Sequence, residues 1–241
     1  MPDFIKKLYG APFAAAAWTW LFVSGVFASP YFYFTGYKEK SLRNFLYFQG
    51  KVVQFAVFFA SGFSKKVAKN KMPGKASILV ANHPCTYDTF VFFDFGIKNL
   101  VCIAKDWPFK IIFYGKFIEK AGYINSEGKT AEEIIKETRE KIEQGLNVAV
   151  FPEGTRSNVT GRFRTLAFEA AIRINCPVVP FVIKGLAEML PPGSYCPKYN
   201  PVEYIQLEPV YPDKFQIDLG AHNMAKHVKN MIVKKLEEKS R

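Results

Sequence analysis

Two polar clusters in the 241-residue chain have the residue types and spacing for chemistry. The first is Ala81-Asn82-His83-Pro84-Cys85-Thr86-Tyr87-Asp88, directly after the apolar run Ser77-Ile-Leu-Val80. Pro84 keeps the residue before it out of the helical region and suits a first helical position. His83 is therefore expected at a strand-to-helix corner, with Asp88 one turn inside. From there the carboxylate can fold back under the imidazole. An aspartate on one ring nitrogen fixes the tautomer and leaves the other nitrogen to take a proton, which is the logic of a general base without a nucleophilic serine. Taken alone, the pair also fits a histidine that merely caps a helix.

The second cluster, Phe151-Pro152-Glu153-Gly154-Thr155-Arg156-Ser157, again follows an apolar run, Asn147–Phe151. Gly154 permits close backbone approach, Thr155 and Ser157 bring hydroxyls, and Arg156 brings a planar fork of donors suited to phosphate. The plain alternative is a turn with an exposed Glu153–Arg156 ion pair.

The elements that would position these clusters alternate. Residues 77–80, 100–103, 147–151, 178–183 and 204–207 read as strands, the first four as buried ones. Helices are expected near 86–95, 107–119, 130–144, 164–175 and 220–238. Thr130 and Glu133 form a capping-box pattern, and Gly145 stops that helix. The alternation implies an α/β sheet covered by helices, with sites where strands run out into loops.

A different regime precedes it. Residues 1–71 hold ten Lys/Arg and only Asp3 and Glu39, so they carry +8 of the net +12, and they hold 19 of the 39 aromatics. No charge occurs from Tyr9 to Tyr37. Ala11–Ala28 reads as a helix with Pro12 in its first turn and Ser29–Pro30 ending it. At ~1.5 Å per residue it spans roughly 27 Å, just short of a hydrocarbon core. Ser41–Phe63 reads as an amphipathic helix. Pro30 immediately after any cleavage point argues against a signal peptide. The expectation is a membrane-anchoring helical pair over 1–71, with aromatics at the interface and lysines on anionic lipid; the plainer alternative is a helical pair buried against the rest of the protein. Residues 72–241 then form the α/β domain.

Asn82-His83-x4-Asp88 with Phe151-Pro-Glu-Gly-Thr-Arg-Ser157 resembles the first and third motifs of the glycerolipid acyltransferases, typified by 1-acylglycerol-3-phosphate acyltransferase. Ile103-Ala-Lys105, Phe113-Tyr-Gly115 and Gly122-Tyr-Ile124 resemble the second motif, and Val179-Pro180-Phe181 the fourth. The resemblance covers roughly 77–185. It implies that family's mixed sheet covered by helices, and transfer of an acyl group from coenzyme A or acyl carrier protein to a lysophospholipid hydroxyl. It makes His83 the general base and Asp88 its orienter. Arg156 becomes the acceptor-phosphate ligand, Glu153, Gly154 and Thr155 shape that site, and Lys105 faces the phosphate or the oxyanion. Cys85 falls in the variable part of the first motif, so a thiol nucleophile is disfavoured. The second motif departs from the family in lacking an arginine after Gly122-Tyr-Ile124; Lys129 is the nearest cation, which leaves room for another lysolipid acceptor.

The expected partners are a bilayer, a lysophospholipid and acyl-CoA or acyl carrier protein, with the active site on the cytoplasmic face. No cofactor or metal is expected, since no metal-ligand cluster exists. Nucleic acid is not expected, because the basic surplus accompanies the apolar appendage rather than a folded platform with stacking aromatics. No Gly-x-Ser-x-Gly elbow supports a lipase, and the alternative to an enzyme is a basic non-catalytic membrane adaptor. His222 and His227, in a basic carboxy-terminal helix, read as surface residues.

Overall fold

The computed structural model describes residues 2–157, 160–191, 194, 196–215 and 219–238. Among the described residues, seven strands form one sheet: β1 (Lys65–Ala68), β2 (Ile78–Ala81), β3 (Leu100–Ala104), β4 (Ile124–Asn125), β5 (Asn147–Val150), β6 (Val178–Lys184) and β7 (Val202–Gln206). Their spatial order is β1-β7-β6-β2-β5-β3-β4. All neighbours run parallel except β6 and β7, so the sheet is mixed, as the resemblance implies. β2 lies between β5 and β6, which places the carboxyl ends of β2 and β5, and hence both polar clusters, side by side.

The central strands are apolar throughout because both of their faces are covered. Leu79 and Ala81 pack with Val53, Val57 and Phe92 on one side. Ile78 and Val80 pack with Ala167, Phe168, Met224 and Val228 on the other. That second side is built by α4 (Ala131–Glu143), α5 (Leu166–Ile174) and α7 (Gly220–Glu237). The Thr130–Glu133 capping box forms as expected. Three elements were not legible from periodicity. β1 is a polar-alternating edge strand, β4 has two residues, and α6 (Leu186–Met189) is one turn. The expected helix 86–95 is a 3₁₀ segment, Asp88–Phe95, and the expected helix 107–119 divides. It becomes a 3₁₀ turn, Trp107–Lys110, and α3 (Tyr114–Lys120), separated where Phe113 takes φ +62°.

The amino-terminal helix differs from the expectation at both ends. α1 runs unbroken from Asp3 to Phe34, through Pro12 and Pro30. Each proline removes one helical hydrogen bond, but packing on both sides of it holds the helix together. Beyond Pro30, Phe32 is buried against Phe45 and Phe117. α2 (Glu39–Ala60) folds back antiparallel to α1: the Tyr9 hydroxyl donates to the Phe59 carbonyl, and the Trp20 indole donates to Gln49 at 2.7 Å. The other face of α2 lies on the 3₁₀ segment that begins at Asp88. A side chain at Gly50 would collide with the Phe93 ring, so glycine is what allows this approach. Asp94 on the same segment accepts Lys51 at 2.9 Å and Lys65 at 2.7 Å. α2 and β1 thereby hold the segment that carries Asp88.

Candidate active site

β2 ends by exchanging its strand pairing for a side-chain clamp. Asn82 donates to the Ile183 carbonyl and accepts from the Ile183 amide, both at 2.9 Å. The clamp satisfies β6 where β2 stops, so the chain can turn at His83 without leaving a buried ladder group unpaired. The main chain of His83 is held by the second cluster. Its amide donates to Glu153 at 3.1 Å, and its carbonyl accepts from the Ser157 amide at 3.0 Å.

The His83 ring stacks on Phe151, with centroids 4.4 Å apart and planes 19° apart. Its Nδ1 lies 2.6 Å from an Asp88 carboxylate oxygen that also accepts the Cys85 amide at 3.1 Å. Asp88 stands at the first position of its 3₁₀ segment rather than one turn inside an α-helix. It is fully buried, whereas the His83 side chain is 14% exposed. An ionised Asp88 places the imidazole proton on Nδ1 and leaves Nε2 as the acceptor. The other Asp88 oxygen has no partner among the described residues.

Glu153 does not pair with Arg156. Its second carboxylate oxygen accepts the Gly161 amide at 2.9 Å, so it ties His83 to the loop beyond the cluster. Gly154 adopts φ +70°, and a Cβ there would stand 3.1 Å from the Arg164 guanidinium. Thr155 is exposed, as is Lys105, which follows β3. Arg156 places its guanidinium carbon 5.2 Å from the centre of the Trp107 ring, and its buried Nε has no partner among the described residues. Lys129 is engaged elsewhere, 2.6 Å from Glu137. Burial, followed by the charge of Asp88, pushes the Cys85 thiol far above its ordinary range and keeps it protonated. A cleft of about 570 Å³ opens beside the second cluster, lined by Thr155, Ser157, Gly161, Arg162, Arg164 and Thr165, with Glu153 and Phe163.

Sequence reasoning missed the ring contacts of Phe151 and Trp107, the clamp at Asn82, and Arg162 and Arg164. Phe151 was legible in principle, as an aromatic at the strand end facing the histidine cluster. Trp107 was not, since nothing in its local sequence ties it to a residue 49 positions later. The structure brings His83, Asp88 and Glu153 into direct contact and leaves Lys105 outside that contact set.

The sequence profile of the acyltransferase family matches residues 64–184. The chain belongs to the acyltransferase family. It is 28% identical over 143 residues to the chloroplastic 1-acyl-sn-glycerol-3-phosphate acyltransferase BAT2 of Brassica napus, over 57% of this chain and 41% of that protein. It is 27% identical over 188 residues to the 1-acyl-sn-glycerol-3-phosphate acyltransferase of Salmonella typhimurium, over 69% of this chain and 76% of that one. The chain thus spans less than half the length of the Brassica relative. The crystal structure of the 1-acyl-sn-glycerophosphate (LPA) acyltransferase PlsC from Thermotoga maritima superposes with TM-score 0.76 over 98% of this chain and 99% of that one, at 22% identity. The acyltransferase fold is therefore shared along almost the whole chain, including α1 and α2.

Proposed function

We propose that this acyltransferase moves a fatty acyl group from the thioester of coenzyme A or acyl carrier protein to the free hydroxyl of 1-acylglycerol-3-phosphate, giving phosphatidic acid. The observation that carries the reading is the 2.6 Å contact between His83 Nδ1 and Asp88. Nε2 takes the hydroxyl proton as the hydroxyl oxygen attacks the thioester carbonyl. The carbon–sulfur bond then breaks, and the imidazolium returns the proton to the departing thiolate. Asp88 holds the ring and stabilises its transient charge. No covalent enzyme intermediate is needed, because a thiolate is already a good leaving group. The protonated, buried Cys85 thiol accords with this direct route.

Arg156 is assigned the acceptor phosphate and Lys105 the same phosphate or the oxyanion. Glu153 and Gly154 shape the loop that carries Arg156, and Thr155 lies at its surface. The names of the relatives support a lysophosphatidic acid acceptor. The missing second-motif arginine, with Lys129 already paired, keeps another lysophospholipid as the alternative acceptor. No metal or other cofactor enters this mechanism.

The protein is assigned to a membrane surface, with residues 1–71 anchoring, 72–241 catalytic, and α2 and β1 serving both. α1 is long and apolar enough to cross a membrane by length and composition, with a mean hydropathy of 1.5 over its most apolar 18 residues. It is tied along its length to the rest of the protein, by Tyr9, Trp20 and Ser24, and by the Lys198–Asp3 ion pair at 2.7 Å. That tethering supports a helix lying along the bilayer, with Phe4, Phe27 and Phe34 exposed to it. The cytoplasmic face is where both donors are available. Acyl transfer assayed across a panel of lysophospholipids, with coenzyme A and carrier-protein donors compared, tests the reading; no transfer to any lysolipid would reject it.

A further inference from the structure

The Phe151–Ser157 loop separates two cationic places. Thr155 and Ser157 line the 570 Å³ cleft, whereas Arg156 between them lies over Trp107 and outside it. The cleft has its own cations. Arg162 and Arg164 are both exposed, and neither has a carboxylate partner among the described residues. Glu153, the acidic group of the lining, has both oxygens occupied by the His83 and Gly161 amides. Arg164 is seated against Gly154, where any larger residue would press on its guanidinium.

We infer that this cleft binds the nucleotide phosphates of coenzyme A, with Arg162 and Arg164 as their ligands. The inference rests on the acyl-transfer reading and names the donor half of that site. Two physical arguments carry it. The first is reach: in the lysolipid the phosphate is one glycerol carbon from the reacting hydroxyl, so its cation must stand beside His83. Arg156 meets that need, since its neighbour Ser157 donates its amide to the His83 carbonyl at 3.0 Å and Glu153, three residues before Arg156, accepts the His83 amide at 3.1 Å. The cleft includes neither His83 nor Asp88 in its lining and begins behind Glu153. In acyl-CoA the phosphates are separated from the thioester by the whole pantetheine arm, which suits a cleft set back from the base. The second is size and charge. A volume of about 570 Å³ is that of a small-molecule pocket rather than a single-phosphate notch, and two guanidinium forks match a multiply phosphorylated ligand.

The test uses the full chain in detergent with Arg162→Gln/Arg164→Gln, and Arg162→Gln alone in case the double variant fails to fold. Coenzyme A binding is measured by calorimetry. Michaelis constants are measured for acyl-CoA, for S-acyl-pantetheine, which lacks every phosphate, and for the lysolipid. The expected result is a rise of roughly ten- to a hundredfold in the coenzyme A Kd and the acyl-CoA KM, with S-acyl-pantetheine and lysolipid constants unchanged. A raised lysolipid KM, equal weakening of S-acyl-pantetheine, or unaltered coenzyme A binding in a variant that still transfers acyl groups would overturn the assignment. If the wild type binds coenzyme A in an arginine-dependent way but acylates no lysolipid, the cleft stands and the acyl-transfer reading fails.

Discussion

The guanidinium of Arg156 is carried on the face of Trp107, 5.2 Å from its ring centre, rather than by a carboxylate. An aromatic face holds a cation without neutralising it and leaves the in-plane N–H donors to a phosphate. A carboxylate partner would compete with that phosphate for the same donors. Glu153 is three residues away but is fully used by backbone amides, which keeps the charge of Arg156 available.

Trp107→Ala is therefore expected to raise the acceptor KM about 2- to 30-fold, the effect of losing a cation–π contact of about 0.5–2 kcal/mol, while Trp107→Phe retains most of the affinity. Arg156→Lys should cost roughly ten- to a hundredfold in acceptor kcat/KM, because a lysine offers a point charge in place of a fork. Steady-state kinetics with each substrate varied in turn reads both. Equal weakening toward donor and acceptor would remove Arg156 from the acceptor phosphate.

His83→Ala should abolish transfer, a loss of about 10²–10⁴-fold or more, in a protein whose thermal unfolding is little changed. Asp88→Asn should leave a small residual rate, since the ring and its stacking on Phe151 survive but the amide no longer stabilises the charged imidazole. Full activity in folded His83→Ala protein would end the general-base mechanism.

Asn82→Ala removes two buried hydrogen bonds to the Ile183 backbone. Leaving that amide and carbonyl unpaired should destabilise the fold by about 2–4 kcal/mol, lowering the midpoint of thermal unfolding by roughly 5–15 °C. Activity should fall with it, because His83 is the next residue. An unchanged midpoint would show that water replaces the clamp.

Removing residues 1–71 would also remove β1 and the core residues Val53, Val57 and Ala60, so point substitutions test the membrane surface more cleanly. Phe22→Gln with Phe27→Gln changes two exposed α1 residues. Each is expected to weaken cosedimentation with neutral liposomes about tenfold or more, from a burial contribution of about 1.5–3 kcal/mol per aromatic. High salt should add little on neutral lipid and more on anionic lipid. Undiminished binding of the double variant would move the membrane contact elsewhere.

Thiol chemistry gives a pH-linked check. Burial raises the Cys85 thiol far above its usual range, Cys102 to about 12 and Cys176 to about 11, so all three are protonated and unreactive near pH 8. Because the shifts are upward, raising the pH toward 9.5 should still not label them in the folded state, whereas unfolding in urea should expose all four cysteines. Cys196 is the partly exposed one and should alkylate in native protein. Cys85→Ala should keep acyl transfer; its loss in a folded variant would reopen a thiol role.

Local sequence determined a good deal here. Pro84 and the apolar run before it placed His83 at a strand end, Thr130 and Glu133 started α4, and the uncharged stretch from Tyr9 to Tyr37 gave an apolar helix. Each is a short-range effect, of backbone sterics, capping or solvation, and is written in neighbouring residues. Tertiary structure decided what depends on distant partners. Packing of Phe32 in a cluster with Leu42, Leu46, Phe45 and Phe117 accompanies the run of α1 past Pro30, and the sequence around a proline contains the lost hydrogen bond but not the contacts that offset it. The backbone of His83 is gripped by Glu153 and Ser157, some 70 residues away, since β2 and β5 are neighbours in the sheet though far apart in the chain. For the same reason the Trp107 face under Arg156, and the turning of Arg156 away from the Arg162–Arg164 cleft, come from the fold: side-chain direction on a loop is set by what the loop packs against, not by its own composition.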